Sequence, residues 1–193
     1  MKYNPDIHHR RSIRLQGYDY SQNGAYYVTL CTQNRECLFG EIVKGEMILN
    51  EYGKIVEQCW NNLPNHYDNI ELDAYVIMPN HFHGIILITD NVDNVDNVGA
   101  IHELPLHESP IQSPQQRRKM LLPKIVGRFK MNSAKQINQM RNTPGISVWQ
   151  RNYYEHFIRN DKSLENIRNY IINNPSEWYY DDYNPKKVKY EKQ

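Results

Sequence analysis

Cysteine is scarce. Cys31, Cys37 and Cys59 are too few and too irregularly spaced for a disulfide framework or a thiolate metal site, and they suit a reducing compartment. No apolar run reaches the roughly 18 residues that a membrane span needs. The N-terminus is polar and basic through Arg14 and lacks the apolar stretch of a signal peptide. These absences predict a soluble, cytoplasmic protein with no membrane contact. Phenylalanine is limited to 4 residues while tyrosine reaches 15, so most aromatic faces carry a polar tip. At 193 residues the chain reads as one domain with extensions, long enough to bury a core.

Acidic residues nearly vanish from one stretch. Residues 117–160 hold ten basic side chains (Arg117, Arg118, Lys119, Lys124, Arg128, Lys130, Lys135, Arg141, Arg151 and Arg159) against Glu155 alone. That segment is +9 in a protein whose net charge is +1, so the rest sums to −8. Such a block reads either as a site for a polyanion, nucleic acid first of all, or as a solvated helix face.

Along the chain, residues 1–24 form a polar arm with Arg10, Arg11 and Arg14 available to phosphates. The main domain spans 25–178, and 179–193 is a polar tail of mixed aromatics and charges. Ala25–Thr32 has strand composition. Leu38–Asn50 reads as a hairpin turning at Lys44-Gly45-Glu46. Glu51–Leu63 has helical spacing, with Ile55, Val56, Cys59 and Trp60 on one side. Ile70–Met78 and His81–Thr89 are strands separated by Pro79-Asn80. Residues 90–116 open with Asp-Asn-Val three times over and continue with Pro105, Pro110 and Pro114, which predicts a flexible insertion. Leu121–Met140 is a second helix with an Ile125, Phe129, Ile137 stripe. Ser147–Trp149 is a short strand. A third helix, capped by Asp161 or Ser163, runs to about Asn173, before Pro175.

Chemistry concentrates at two places. In Met78-Pro79-Asn80-His81-Phe82-His83-Gly84, two histidines flank one bulky apolar residue at the start of a buried strand. Strand side chains alternate, so His81 and His83 share a face, about 6.6 Å apart along the backbone. Two imidazoles so placed can share a divalent metal, or can be satisfied core histidines. In Tyr170-Ile171-Ile172-Asn173-Asn174-Pro175, Tyr170 and Asn174 lie one helical turn apart on one face. A phenolate can attack phosphorus and hold a covalent phosphoester. A metal on His81, His83 and the Asn174 amide oxygen would polarise the phosphate. Tyr153, Tyr154, Tyr179 and Tyr180 lack an amide one turn later on a helix, so Tyr170 is the expected nucleophile. No general base is evident. Trp149, with Arg151, can stack on an unpaired base or be plain core.

Taken together, His81-Phe82-His83, Gly127-Arg128-Phe129-Lys130, Val148-Trp149-Gln150-Arg151-Asn152-Tyr153-Tyr154-Glu155-His156 and Tyr170 to Pro175 resemble the single-tyrosine HUH transposases, specifically the REP-associated tyrosine transposases. Arg11 to Tyr20 and Tyr27-Val28-Thr29 also resemble them, and the likeness covers about residues 8–178 apart from the insertion. It implies a ferredoxin-like α+β fold, an antiparallel sheet with helices on one face and the HUH motif on a central strand. It implies cleavage and rejoining of single-stranded DNA hairpins through a 5′-phosphotyrosine, with Mg²⁺ or Mn²⁺ on His81, His83 and Asn174. Insertion-sequence relatives often carry Gln at the last position, so Asn174 points to the REP-associated branch. DNA contacts would fall to Arg10, Arg11, Arg14, Arg117, Arg118, Lys119, Lys124, Arg128, Lys130, Trp149 and Arg151. Monomer and homodimer are both compatible with the resemblance. Two other readings stand beside a transposase: a catalytically silent nucleic-acid-binding regulator, and a metal-dependent phosphodiesterase without a covalent step.

Overall fold

A computed structural model describes residues 19–89 and 119–187. Most of the N-terminal arm, with Arg10, Arg11 and Arg14, lies outside the described residues, as do the 90–116 insertion, Arg117 and Arg118. The described residues form six strands and three α-helices: β1 (Gly24–Cys31), β2 (Gly40–Val43), β3 (Glu46–Leu49), α1 (Glu51–Asn61), β4 (Ile70–Ile77), β5 (His81–Ile88), α2 (Leu121–Met140), β6 (Tyr154–Ile158) and α3 (Asp161–Asn173). Among the described residues no helix is long and apolar enough to cross a membrane.

The main sheet has the order β4–β5–β1–β6, and every neighbouring pair is antiparallel. β1 and β4 therefore run parallel on either side of β5 and are joined through α1. β5 and β6 run parallel on either side of β1 and are joined through α2. Crossovers between parallel strands are right-handed, which puts both helices on one face. The β1-α1-β4-β5-α2-β6 path is the ferredoxin-like fold. The β2–β3 hairpin is inserted before α1, and its turn residues Lys44 and Gly45 take φ of 53° and 83°.

The face under α1 and α2 holds the larger core, where Tyr26, Val28, Leu30, Phe82 and Ile86 meet Val56, Trp60, Leu122, Ile125 and Phe129. Trp60 lies so close to β5 that a Cβ on Gly84 would sit 2.7 Å from its ring, which explains glycine in the middle of a central strand. The two crossover helices meet the expectation of helices on one face. The third helix takes the other. α3 follows an edge strand and closes no crossover, so handedness does not place it. Its Leu164 and Ile171 cover the apolar residues that strand alternation sends to that face, Ala25, Tyr27, Ile85 and Ile158.

Three local expectations change. Asn160, not Asp161 or Ser163, caps α3, its Oδ1 accepting from the Ser163 N–H at 2.9 Å. Ser147–Trp149 contributes one bridge, Thr32 to Trp149. The strand of this region is β6, whose alternation is masked by Glu155 and His156.

Candidate active site

The hairpin between β4 and β5 builds the first half of the site. Met78 N–H donates to His81 O at 2.8 Å, closing a tight turn at Pro79-Asn80. β5 lies between β4 and β1, so His81 and His83 stand on a central strand, and both are buried. Burial pushes His81 down to about 3 and His83 well below the ordinary histidine range, so both rings are neutral near pH 7.

Asn80 orients His81. Its Nδ2 donates to Arg35 O at 3.1 Å and Tyr183 O at 2.7 Å, which leaves Oδ1 facing His81 Nδ1 at 2.9 Å. An amide oxygen can only accept, so the ring proton is on Nδ1 and Nε2 carries a lone pair. His83 is held from below: its Nδ1 lies 2.6 Å from the Tyr27 hydroxyl and 2.8 Å from Thr29 Oγ1, both on β1. Its Nε2 lies 3.5 Å from the Tyr170 hydroxyl.

α3 supplies the second half. β4 carries a bulge between Leu72 and Tyr75, and the extra residue turns Asp73 toward α3. Arg168 grips that carboxylate with Nε at 3.1 and 3.0 Å and Nη2 at 2.6 Å. Two residues later Tyr170 packs edge-on to His83, with ring centroids 5.3 Å apart. Tyr170 is 47% exposed and can meet a substrate, whereas Asn174, one turn on, is 3% exposed. Burial, then the charge of Asp181, pushes the Tyr170 phenol up, so it rests protonated.

The tail adds what sequence reasoning missed. After Pro175 the chain turns through Trp178–Tyr180 and crosses the histidines. The Tyr183 ring lies 4.6 Å from that of His81, and Asp181 Oδ2 lies 3.7 Å from His81 Nε2. Arg35 pins this strap by donating to Asp182 O at 3.1 Å and stacking on Tyr183. Burial pushes the Asp181 carboxyl up, while the backbone N–H of Tyr183 and then Asn174 hold it down. Its signal in the sequence is the aromatic-acidic run from Trp178 to Tyr183, most of it in the polar tail.

The structure thus brings together Tyr170, His81, His83 and Asn174, and sets two of the expected DNA contacts apart. Trp149 is core: it is 6% exposed, packs on Phe39 and Phe129, and donates Nε1–H to Ser133 Oγ at 2.9 Å. It presents no face to a base. Lys130 donates to Gln150 O at 2.7 Å and Arg151 O at 3.0 Å, so its ammonium ties a loop to α2. Lys119, Lys124 and Arg151 are exposed, and Arg128 reaches His66 at 3.1 Å.

Among the described residues no group of three or more His, Cys, Asp and Glu side chains is assembled to hold a metal ion. The two histidines therefore have no third side chain of these types already at coordinating distance. The fit is carried by buried atoms without a hydrogen-bond partner, which include His81 Nε2 and Asn174 Oδ1. Two acceptors left unpaired beside one another suit a cation.

No family model matches the chain. It is 46% identical over 180 residues to an uncharacterised protein of Haemophilus influenzae, covering 93% of this chain and 96% of that one. It is 27% identical over 157 residues to a candidate REP-associated tyrosine transposase of the same organism, covering 81% and 73%. Two solved structures are similar. One is a REP-associated tyrosine transposase bound to a REP hairpin, with TM-score 0.45, 18% identity and 87% and 72% coverage. The other is a candidate transposase from Deinococcus radiodurans, with TM-score 0.43, 15% identity and 83% and 97% coverage. The motifs and the sequence relative point the same way, and the chain resembles the REP-associated tyrosine transposases.

Proposed function

We propose that this protein is a metal-dependent transposase that nicks and rejoins single-stranded hairpin DNA in the cytoplasm through Tyr170. The observation that carries the reading is the Tyr170 hydroxyl, half-exposed and 3.5 Å from His83 Nε2, beside the unpaired His81 Nε2 and Asn174 Oδ1. A divalent cation such as Mg²⁺ or Mn²⁺, held by His81, His83 and Asn174, would polarise the scissile phosphate and offset its developing charge.

The chain's own residues do the rest. Asn80 and the Tyr27–Thr29 pair hold the two imidazoles in place, and α3 holds the phenol against them. The Tyr170 hydroxyl gives up its proton as its oxygen bonds to phosphorus and the phosphorus–O3′ bond breaks, leaving a 5′-phosphotyrosine and a 3′-oxygen that takes up a proton to become a hydroxyl. A new 3′-hydroxyl attacking the phosphotyrosine reverses the step and rejoins the strand. Lys119, Lys124, Arg128 and Arg151 would contact backbone phosphates.

The test is a denaturing gel of the protein with labelled single-stranded hairpins from its own genomic flanks, in Mg²⁺ or Mn²⁺. A labelled protein-sized band that disappears in Tyr170→Phe supports the transferase. Cleavage that survives Tyr170→Phe but not His81→Ala indicates a phosphodiesterase. Binding without cleavage in either metal indicates a silent regulator.

A further inference from the structure

We infer that Asp181 is a further ligand, a carboxylate, of the divalent cation proposed at His81, His83 and Asn174; the inference rests on that reading of the site. The Asn80 amide is locked by two donor bonds to backbone carbonyls, so its oxygen faces His81 Nδ1 and places the ring proton there. His81 Nε2 is then a bare lone pair. Asp181 Oδ2 faces it at 3.7 Å, and the Asn174 oxygen, also without a hydrogen-bond partner, belongs to the same site.

Nε2 and Oδ2 are both acceptors, and 3.7 Å is beyond hydrogen-bond distance. Two lone pairs facing each other in a buried site repel unless something positive lies between them. Ligands about 2.1 Å from an octahedral cation stand about 3 Å apart, so a small inward shift of the carboxylate completes the arrangement. His83 Nε2 points instead at the Tyr170 hydroxyl, which is why the three groups do not already converge.

Asp181 is delivered firmly. Its Oδ1 accepts from the Tyr183 N–H at 2.6 Å, the Tyr183 ring packs tilted against His81, and Arg35 holds the Asp182 carbonyl. Its side chain is only 5% exposed. A carboxylate converts a neutral set of two imidazoles and an amide into an anionic one, which favours hard divalent cations such as Mg²⁺ and Mn²⁺ over softer ones.

The test is a Mn²⁺ titration of the metal-free full-length protein, following the electron paramagnetic resonance signal of free Mn²⁺, on wild type, Asp181→Asn, Asp182→Asn and His81→Ala. Asp181→Asn should raise the Mn²⁺ Kd by about tenfold or more, as loss of even an outer partner of a metal ligand does. Exposed Asp182→Asn should leave it unchanged. In EDTA, Asp181→Asn should melt no lower than wild type, because its amide can turn an N–H toward His81 Nε2. A merely structural aspartate would show the reverse, lower melting in EDTA with Mn²⁺ affinity intact. A Kd within about twofold of wild type in Asp181→Asn, with His81→Ala abolishing binding, overturns the inference and spares the histidine site. Mn²⁺ binding that survives His81→Ala overturns both.

Discussion

Arg168 holds Asp73 through the Nε–Nη2 edge of its guanidinium, and Tyr170 lies two residues further along the same helix. This pair ties the helix bearing the proposed nucleophile to the bulge of an edge strand, beyond the apolar contacts of Leu164 and Ile171. It is a positioning device, because neither side chain touches the histidines. Arg168→Ala should cost only about 1 kcal/mol of stability, since the guanidinium is partly exposed. It should slow cleavage by about 10- to 100-fold by letting the phenol drift. Hairpin affinity should stay constant while the single-turnover rate falls, and the exchanged pair Asp73→Arg with Arg168→Asp should recover part of that rate. Equal loss of binding and rate would point to general unfolding.

Asn80 makes three side-chain bonds in a fully buried position. Asn80→Ala leaves the His81 N–H and two carbonyls without partners. Such orphaned groups cost about 1–3 kcal/mol each where water cannot reach them. Mn²⁺ affinity should fall by about 10- to 100-fold because His81 loses its fixed tautomer. Calorimetric titration and thermal melting of the same preparation separate the two effects.

Trp149 has a single polar partner, Ser133 Oγ, at 2.9 Å. Trp149→Phe should lower stability by about 1–3 kcal/mol, combining the lost volume with the lost Nε1–H bond to Ser133 Oγ, which keeps its own bond to Phe129 O. Affinity for single-stranded DNA, corrected for the folded fraction, should not change. A drop in affinity at unchanged stability would restore a stacking role.

The basic residues should divide in two. Lys124→Ala and Arg151→Ala should each flatten the log–log salt dependence of single-strand binding by about 0.7. Lys130→Ala should leave that slope alone and lower the melting temperature, because its ammonium is bound to Gln150 O and Arg151 O.

How much of this could be read before folding depends on the range of each interaction. The spacing of His81 and His83, the one-turn pairing of Tyr170 with Asn174, the helix over Leu121–Met140 and the Lys44-Gly45 turn follow from strand and helix periodicity, which acts over a few residues. Trp149 could not be assigned in the same way. An indole beside an arginine has the same composition on a surface or in a core, and the burial that separates the two comes from Phe39 and Phe129, far away in sequence.

Local periodicity was enough to place two histidines on one strand face and a tyrosine and an amide on one helix face, and to order these elements along the chain. Packing across the sheet put the helix on the face opposite the two crossover helices and turned the phenol toward His83. The fold alone brought Asp181 and Tyr183 back across His81, 100 residues away in the chain. Periodicity sets the direction of a side chain relative to its own element, whereas partners across elements are set by which apolar faces must be covered and by the bulge, the turn and the paired charges that aim the remaining polar groups.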